Sequence, residues 1–267
     1  MSTNNKNTIP NILFEDDEVL VVNKPAGLLV HGDDRSTEPT LVDWLVEKYP
    51  SIRGVVDTSK VNGDPPTVLG APRSGIVHRI DRETSGTLLV AKTQRAFDFL
   101  KKQFQKREVE KIYHAFVYGR MNTPSGEDEG VIDRPIARSK RNPMLWSATR
   151  GRKGKERDAV TEYKVLQRAG DYSLVELRPL TGRTHQLRVH LKAINYPVVC
   201  DKLYAPAREC PPERPESSGR AGALGFSRLA LHARSLSFAL PSGKNIKIEA
   251  PYPEDFKKAL AEFEIKK

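Results

Sequence analysis

The chain has 267 residues, enough for one large domain or two small ones, and lysine and arginine outnumber aspartate and glutamate by 44 to 34. The net charge of +10 favours a polyanionic partner, with RNA or DNA as the leading candidate. The polar N-terminus lacks the apolar core of a signal peptide, and no stretch approaches the ~18 apolar residues that span a bilayer, so we expect a cytoplasmic protein that does not bind membranes. The chain has only two cysteines, Cys200 and Cys210, too few for disulfides to stabilise a domain of this length, and we expect two inert thiols.

The N-terminal third predicts strands, turns and one short helix. Residues 1–11 are expected to be a disordered tail, followed by two β-branched runs around an acidic segment, which is a hairpin pattern. Lys24 to Gly27 predicts a turn, and the spacing of four from Leu41 to Tyr49 predicts a helix. Residues 58–74 are rich in Gly, Pro and Ser and predict a loop.

A strand, a helix and a second strand follow. Thr87 to Lys92 reads as a buried strand, Thr93 as an N-cap, and the apolar stripe that follows as a helix ending near Arg107. The segment from Val109 to Tyr118 predicts a strand whose two faces are both partly apolar, which favours a central position in a sheet.

The segment from Arg134 to Arg157 is strongly basic and contains Met144 and Trp146. A solvated basic hairpin is one interpretation. Basic side chains interleaved with an aromatic ring are also typical of a nucleic-acid surface, and the sequence leaves both open.

Two strands and a helix come next. Thr161 to Gln167 and Ser173 to Leu180 predict strands, and GRTHQLRVHL has helical spacing with Leu187, Leu191 and Ile194 on its buried face.

The C-terminal part contains an interruption and then regular elements. Residues 206–225 are rich in Pro, Gly and Ser and predict a flexible insertion. Residues 229–240 and 244–251 predict closing strands, and 253–265 a terminal helix. No composition change divides the chain, so we expect one domain over residues 12–267.

The segment HRIDRETSG contains the first candidate for chemistry. Asp81 lies between Arg79 and Arg82, and nearby positive charges favour the carboxylate form, which can act as a nucleophile or a base. The alternative is an ordinary surface cluster of ion pairs.

Other catalytic patterns are absent or weak. HRID is similar to the HRD of protein kinases, but the chain has no Gly-rich phosphate loop and no DFG; GxxxxGK[ST] and GxSxG are also missing. A metal site from His78, Asp81, His185 and His190 is a further alternative. His185 and His190 are five residues apart, which places them about 140° around a helix rather than on one face.

Several motifs occur together in a characteristic order: NKPAGLLVH, HRIDRETSGTLLVAKT, KIYHAFVYG, RPLTGRTHQLRVHL, YPVVCDKLY and LALHARSLSF. On these motifs the chain resembles the RNA pseudouridine synthases of the RluA type, which isomerise selected uridines in ribosomal or transfer RNA. The resemblance runs from about Ile12 to Pro253, and it departs from the usual HRLD at Ile80, a volume-conserving change.

The resemblance implies roles for individual residues. Asp81 resembles the catalytic aspartate, Tyr113 the tyrosine that stacks on or deprotonates the target base, and Arg188 the arginine that pairs with the catalytic carboxylate. The expected substrate-binding residues are Arg79, His78, Arg82, Thr84, Arg183, His185 and Gln186.

The resemblance also implies an architecture and a reaction. We expect an α+β fold with a mixed, mainly antiparallel sheet, flanking helices and a central basic cleft, without the small N-terminal RNA-binding domain of some relatives. The expected partner is rRNA or tRNA rather than DNA, with no cofactor and no metal, and the protein is expected to be a monomer. An RNA-binding or RNA-folding factor with little catalysis is the main alternative, and a metal-dependent hydrolase is a third.

Overall fold

The computed structural model describes residues 9–32, 38–57, 74–122, 127–206, 210 and 223–265. Its twelve strands in that part of the chain are β1 (Asn11–Glu15), β2 (Val19–Lys24), β3 (Ser85–Ala91), β4 (Glu110–Tyr118), β5 (Glu129–Asp133), β6 (Ile136–Ser139), β7 (Trp146–Ser147), β8 (Arg152–Arg157), β9 (Val160–Ala169), β10 (Tyr172–Pro179), β11 (Leu231–Ala239) and β12 (Asn245–Glu249). The α-helices are α1 (Leu41–Lys48), α2 (Gln94–Lys106), α3 (Gln186–Ala193) and α4 (Glu254–Ile265). None of these helices is both long and apolar enough to cross a bilayer.

The chain folds into two compact units, and the first contains residues 1–110 and 233–251. Its strands lie in the order β1, β2, β3, β11, with β12 paired to β11. All seven residues of β3 are buried, and Leu89 and Ala91 lie in one core cluster with apolar residues of α2. Thr93 caps α2 by accepting from the Ala96 amide, and Arg107 ends it in a left-handed conformation.

The second unit contains residues 111–232 and 252–267. Its strands follow the order β4, β10, β9, β5, with antiparallel pairing from β4 to β10 and from β9 to its two neighbours. A separate three-stranded sheet has the order β7, β6, β8. The predicted α+β class with mainly antiparallel sheets is confirmed.

Most predicted elements are confirmed with shifted ends. The N-terminal hairpin, the Thr93 cap, the end of α2 near Arg107 and the C-terminal helix all occur. Most of the predicted tail at residues 1–11, of the predicted loop at 58–74 and of the predicted insertion at 206–225 lies outside the described residues. The basic segment is a three-stranded sheet rather than a hairpin.

The two units explain why no boundary is visible in the sequence. The chain passes between them at residues 110/111, 232/233 and 251/252. The first two crossings lie inside β4 and β11, where the sequence is strand-forming and has no linker composition. A single catalytic domain over 12–267 stays a prediction.

Two expectations are corrected by the second unit. Cys200 and Cys210 form a disulfide rather than two thiols, because the fold brings their Cα atoms to 4.7 Å, within the range that a disulfide can bridge. The helix α3 is buried along Gln186–Leu191 rather than on one apolar face, whereas Ile194, predicted to be buried, is only half-buried and caps the helix.

Candidate active site

Asp81 lies in the first unit, on a tight turn between the bridge residue Ile76 and β3. The Thr84 amide donates to the Asp81 carbonyl at 3.1 Å and closes the turn. Asp81 itself is half-buried, and the next-door Ile80 is 6% exposed and anchors the turn in the core. Asp81 is therefore partly accessible on a backbone that is held in place.

Lys24 is fully buried beneath this turn, with 0% exposure. Its Nζ donates to the carbonyls of Pro25 at 2.7 Å, Leu28 at 2.9 Å and Arg82 at 2.9 Å. A buried ammonium is costly unless it is hydrogen-bonded, and these bonds join the turn after β2 to the turn that carries Asp81. Lys24 is a positioning residue that the sequence reasoning missed, although a lysine ending a buried strand was a signal.

Arg82 reinforces the same junction. Its Nε donates to the Gly27 carbonyl at 2.9 Å, the Gly27 amide donates back to the Arg82 carbonyl at 2.9 Å, and its Nη2 pairs with Glu38. Arg79 is exposed, and its Nη1 lies 3.3 Å from His31 Nε2. Arg82 is thus engaged in holding the loop.

The other predicted residues of this loop face inward. His78 Nε2 accepts from the Leu89 amide at 2.9 Å, and its ring stacks on Phe104 at 4.8 Å. Thr84 is 1% exposed, and its hydroxyl has no hydrogen-bond partner within the described chain. Direct substrate contacts by His78 and Thr84 stay predictions.

The start of α3, in the second unit, holds the next group of predicted residues. Gln186 Oε1 accepts from Thr181 Oγ1 at 2.7 Å and from the Arg183 amide at 2.9 Å, while Nε2 donates to the Val160 carbonyl and to Thr161 Oγ1, each at 3.0 Å. Its amide is therefore fully used in joining α3 to β9.

Arg183 and His185 flank this glutamine. Arg183 Nε donates to the Asp158 carbonyl at 2.9 Å. His185 has a φ of 55°, a left-handed conformation that is strained for a residue other than glycine, and its Nδ1 lies 2.9 Å from the Tyr204 hydroxyl. These contacts support α3, and substrate binding by both residues stays a prediction.

Arg188 makes a buried bidentate ion pair. Its Nε donates to Asp201 Oδ2 at 2.8 Å and its Nη2 to Oδ1 at 2.7 Å, with side-chain exposures of 8% and 0%. The guanidinium and the carboxylate therefore neutralise each other at a buried position. Asp201 is a second residue that the sequence reasoning missed, although it ends the buried run VVC in a motif that carried the resemblance. The predicted pairing of Arg188 with the catalytic carboxylate stays a prediction.

Tyr113 lies on β4 opposite Leu177 of β10 and is 9% exposed. His114, on the other face of the strand, is fixed by Tyr252 Oη at 2.6 Å and by Glu176 at 3.4 Å. The strand that carries the Tyr113 ring is therefore rigidly held.

The sheet of β6, β7 and β8 carries much of the positive charge. Nine lysine or arginine residues lie between Arg134 and Arg157. The guanidinium of Arg138 lies 4.2 Å from the Trp146 ring centre, a cation–π distance that orders a long side chain. Arg150, Lys153 and Lys155 are exposed.

Ring nitrogens of the histidines considered for a metal site take part in hydrogen bonds. His190 Nε2 donates to the Arg134 carbonyl and Nδ1 accepts from Thr161 Oγ1, each at 2.9 Å. Burial lowers the pKa of His190 and favours the neutral ring. Among the residues that the structure describes, no three His, Cys, Asp or Glu side chains form a metal-binding group.

Residues 18–193 match the sequence model of a family described as RNA pseudouridylate synthase, about two thirds of the chain. The chain belongs to this family. As a member it is an RNA pseudouridine synthase, an isomerase that converts uridine to pseudouridine in RNA. The resemblance to the RluA type is confirmed by the relatives that the chain matches.

Curated relatives and solved structures agree with this assignment. The chain is 38% identical over 94% of its length to ribosomal large subunit pseudouridine synthase D of Xanthomonas campestris, covering 68% of that protein. It is 39% identical over 92% of its length to an uncharacterized RNA pseudouridine synthase of Bacillus subtilis, covering 70% of it. Human RNA pseudouridylate synthase domain containing 4 matches with a TM-score of 0.67 and 28% identity, covering 95% of this chain and 93% of that one.

Proposed function

We propose that the enzyme isomerises uridines in structured rRNA or tRNA by flipping the target base out of its stack and using Asp81 as the essential carboxylate. The reaction breaks the N1–C1′ bond, turns the uracil and joins C5 to C1′; C5 then loses its proton and N1 takes one up from solvent, so that the product is an isomer of uridine. No metal or cofactor takes part in this proposal. The observation that carries it is the half-buried Asp81 on a turn fixed by Lys24 and Arg82.

Asp81 starts the reaction in this proposal. An ionised carboxylate can attack C1′ or abstract a sugar proton, and either step cleaves the glycosidic bond. Both require the carboxylate at a defined distance from the sugar, and the anchored turn supports that positioning.

In this proposal Arg188 stabilises the charge of the catalytic carboxylate, and Tyr113 contacts the flipped base. A guanidinium near the catalytic carboxylate favours its ionised form, and the bidentate pair with Asp201 gives Arg188 one orientation. Tyr113 provides an aromatic face for the flipped base, which replaces the neighbours it loses on leaving the helix. The rigid β4 strand supports this role.

The basic sheet of β6, β7 and β8 binds RNA phosphates in this proposal. Its exposed cations suit contacts that carry no sequence information, and several of the relatives matched are named for the ribosomal large subunit, which favours rRNA as the substrate. We further propose that the enzyme acts as a cytoplasmic monomer and does not act on DNA.

Asp81→Asn tests the catalytic assignment. The variant should lose turnover by about 1,000-fold or more while its RNA affinity changes by less than about threefold, because the lost group performs chemistry rather than contact. Asp98→Asn, an exposed aspartate on α2, is the matched control and should keep full turnover. Equal loss of turnover and binding in Asp81→Asn would contradict the assignment. Full turnover of Asp81→Asn would favour another catalytic group.

Changing Arg150, Lys153 and Lys155 to glutamine tests the RNA surface. RNA binding should weaken, and the slope of log affinity against log salt should fall by about 2 to 3. Lys257 and Lys258, exposed on α4, are the control pair and should leave the slope within about 0.5 of wild type if α4 does not contact RNA. An unchanged slope in the triple variant would show that this sheet does not contact phosphate.

A further inference from the structure

The turn from Asp201 to Ala205 is built around one buried carboxylate. Asp201 Oδ1 accepts from the amides of Leu203 and Tyr204, each at 3.0 Å, and the Ala205 amide donates to the Asp201 carbonyl at 2.8 Å. The same Oδ1 accepts from Arg188 Nη2, and Oδ2 accepts from Arg188 Nε. The carboxylate therefore joins a rigid turn to one edge of the guanidinium.

A second contact comes from the same turn. The Tyr204 ring centre lies 5.1 Å from the Arg188 guanidinium carbon, within cation–π range. The Tyr204 hydroxyl lies 2.9 Å from His185 Nδ1 and accepts from the Trp146 amide at 3.2 Å, so this ring is itself held in place. The Asp201 carboxylate thus restrains one edge of the Arg188 guanidinium, and the Tyr204 ring lies close to the same group.

We propose that Asp201 is a positioning residue for catalysis, which acts by fixing the plane of the Arg188 guanidinium, with Tyr204 as its aromatic support. A planar fork whose Nε and Nη2 are both engaged has a single orientation, and the direction of Nη1 follows from it. The inference rests on the proposed function, in which Arg188 stabilises the catalytic carboxylate. It predicts that loss of Asp201 affects the rate of the chemical step more than RNA binding.

The second unit contains a matched control pair. Arg228 and Asp255 also form a bidentate ion pair, with Nε to Oδ2 at 2.7 Å and Nη2 to Oδ1 at 2.9 Å, partly buried. Asp255→Asn removes the same charge from the same kind of pair, which is not part of the proposed chemistry. A general effect of a broken ion pair should therefore appear in both variants, whereas an effect through Arg188 should appear only in Asp201→Asn.

The experiment measures kcat, KM and RNA affinity for wild type, Asp201→Asn, Asp255→Asn, Arg188→Gln and the double variant Arg188→Gln/Asp201→Asn. We expect Asp201→Asn to lower kcat by about 100-fold with KM and affinity within about twofold, and Asp255→Asn to stay within about threefold of wild type. The double variant should be no slower than Arg188→Gln, because Asp201 acts only through that arginine. Wild-type kcat in Asp201→Asn, or independent losses that multiply in the double variant, would overturn the inference.

Arg188→Lys provides a second test if Asp201→Asn does not fold. Lysine keeps the charge opposite Asp201 but cannot form the planar fork, so kcat should fall by about tenfold or more, and an unchanged kcat would overturn the inference. If the proposed function itself is wrong, the measurements give a different result. In that case wild type does not turn over, or Asp81→Asn turns over as fast as wild type, whatever Asp201→Asn does.

Discussion

The buried ammonium of Lys24 makes a strong prediction about stability. Lys24→Met keeps the length and most of the volume of the side chain but removes the donor to three carbonyl groups. The Arg82 carbonyl keeps the Gly27 amide as a donor, whereas the Pro25 and Leu28 carbonyls each lose a charged partner. An orphaned buried acceptor costs about 1–3 kcal/mol, so the loss of partners at these two carbonyls should lower the free energy of unfolding by about 2–6 kcal/mol.

The same variant should lose activity in the fraction that stays folded. The Lys24 bond to the Arg82 carbonyl holds the turn of Asp81, and displacement of a catalytic group by about 1 Å can cost about 100-fold in rate. We therefore expect a rate about 10- to 100-fold below wild type.

Urea unfolding and initial rates measure the two effects. Lys92→Met is the control, since its ammonium, at 18% side-chain exposure, binds Glu15 Oε1 at 2.8 Å and the Asp16 carbonyl at 2.7 Å and should cost only about 1 kcal/mol. A Lys24→Met protein within 1 kcal/mol of wild type, with wild-type rates, would refute the positioning role.

Three further predictions concern stability. Gly86→Ala should lower the free energy of unfolding by about 4 kcal/mol or more, because Gly86 has a φ of 113° and an added Cβ would lie 2.2 Å from the Ala233 carbonyl oxygen. Gly151→Ala should lower it by only about 1 kcal/mol, since Gly151 has a φ of 93° but open space around it. Similar losses for the two variants in thermal unfolding would contradict this. Cys210→Ser should lower the free energy of unfolding by about 2–3 kcal/mol, since the disulfide closes a loop of about ten residues, and equal urea midpoints would show that it does not form. Burial lowers the pKa of His190 below its value in the unfolded chain, so the unfolded state takes up a proton first as the pH falls. The free energy of unfolding should therefore fall by up to about 1.4 kcal/mol per pH unit below about pH 6.5. His190→Gln should flatten this slope, and an unchanged slope would assign it to other groups.

Elements with a clear period were predictable from the sequence. The N-terminal hairpin, β3 and α2 follow from alternating or four-residue apolar spacing and from the Thr93 cap. The two-residue strand β7 has no period of its own, so the pattern of the basic segment predicts a hairpin where the structure has a three-stranded sheet.

The surroundings of α3 were not predictable from its spacing. Arg188 and His190 have polar side chains that suggest an exposed face, but both are buried because partners distant in sequence satisfy them. Those partners are Asp201, Thr161 and the Arg134 carbonyl. A polar residue becomes a core residue only through such partners, and helical periodicity does not contain them.

In the candidate site, too, the local motif was predictable from the sequence and the contacts with distant residues were not. The motif containing Asp81 was recognisable in the sequence, whereas the anchoring of its turn by Lys24 joins residues 58 apart. The disulfide depends on the fold bringing the Cα atoms of Cys200 and Cys210 to 4.7 Å, which cysteine spacing does not reveal.

The most direct test of the proposed reaction is tritium release from RNA labelled at uridine C5. Total RNA from cells lacking the enzyme is incubated with wild type and, in parallel, with Asp81→Asn. We predict release by wild type alone, because isomerisation replaces the C5 hydrogen by the bond to C1′. Tight RNA binding without release by wild type, on RNA shown to contain unmodified target uridines, would contradict the account and favour a binding factor.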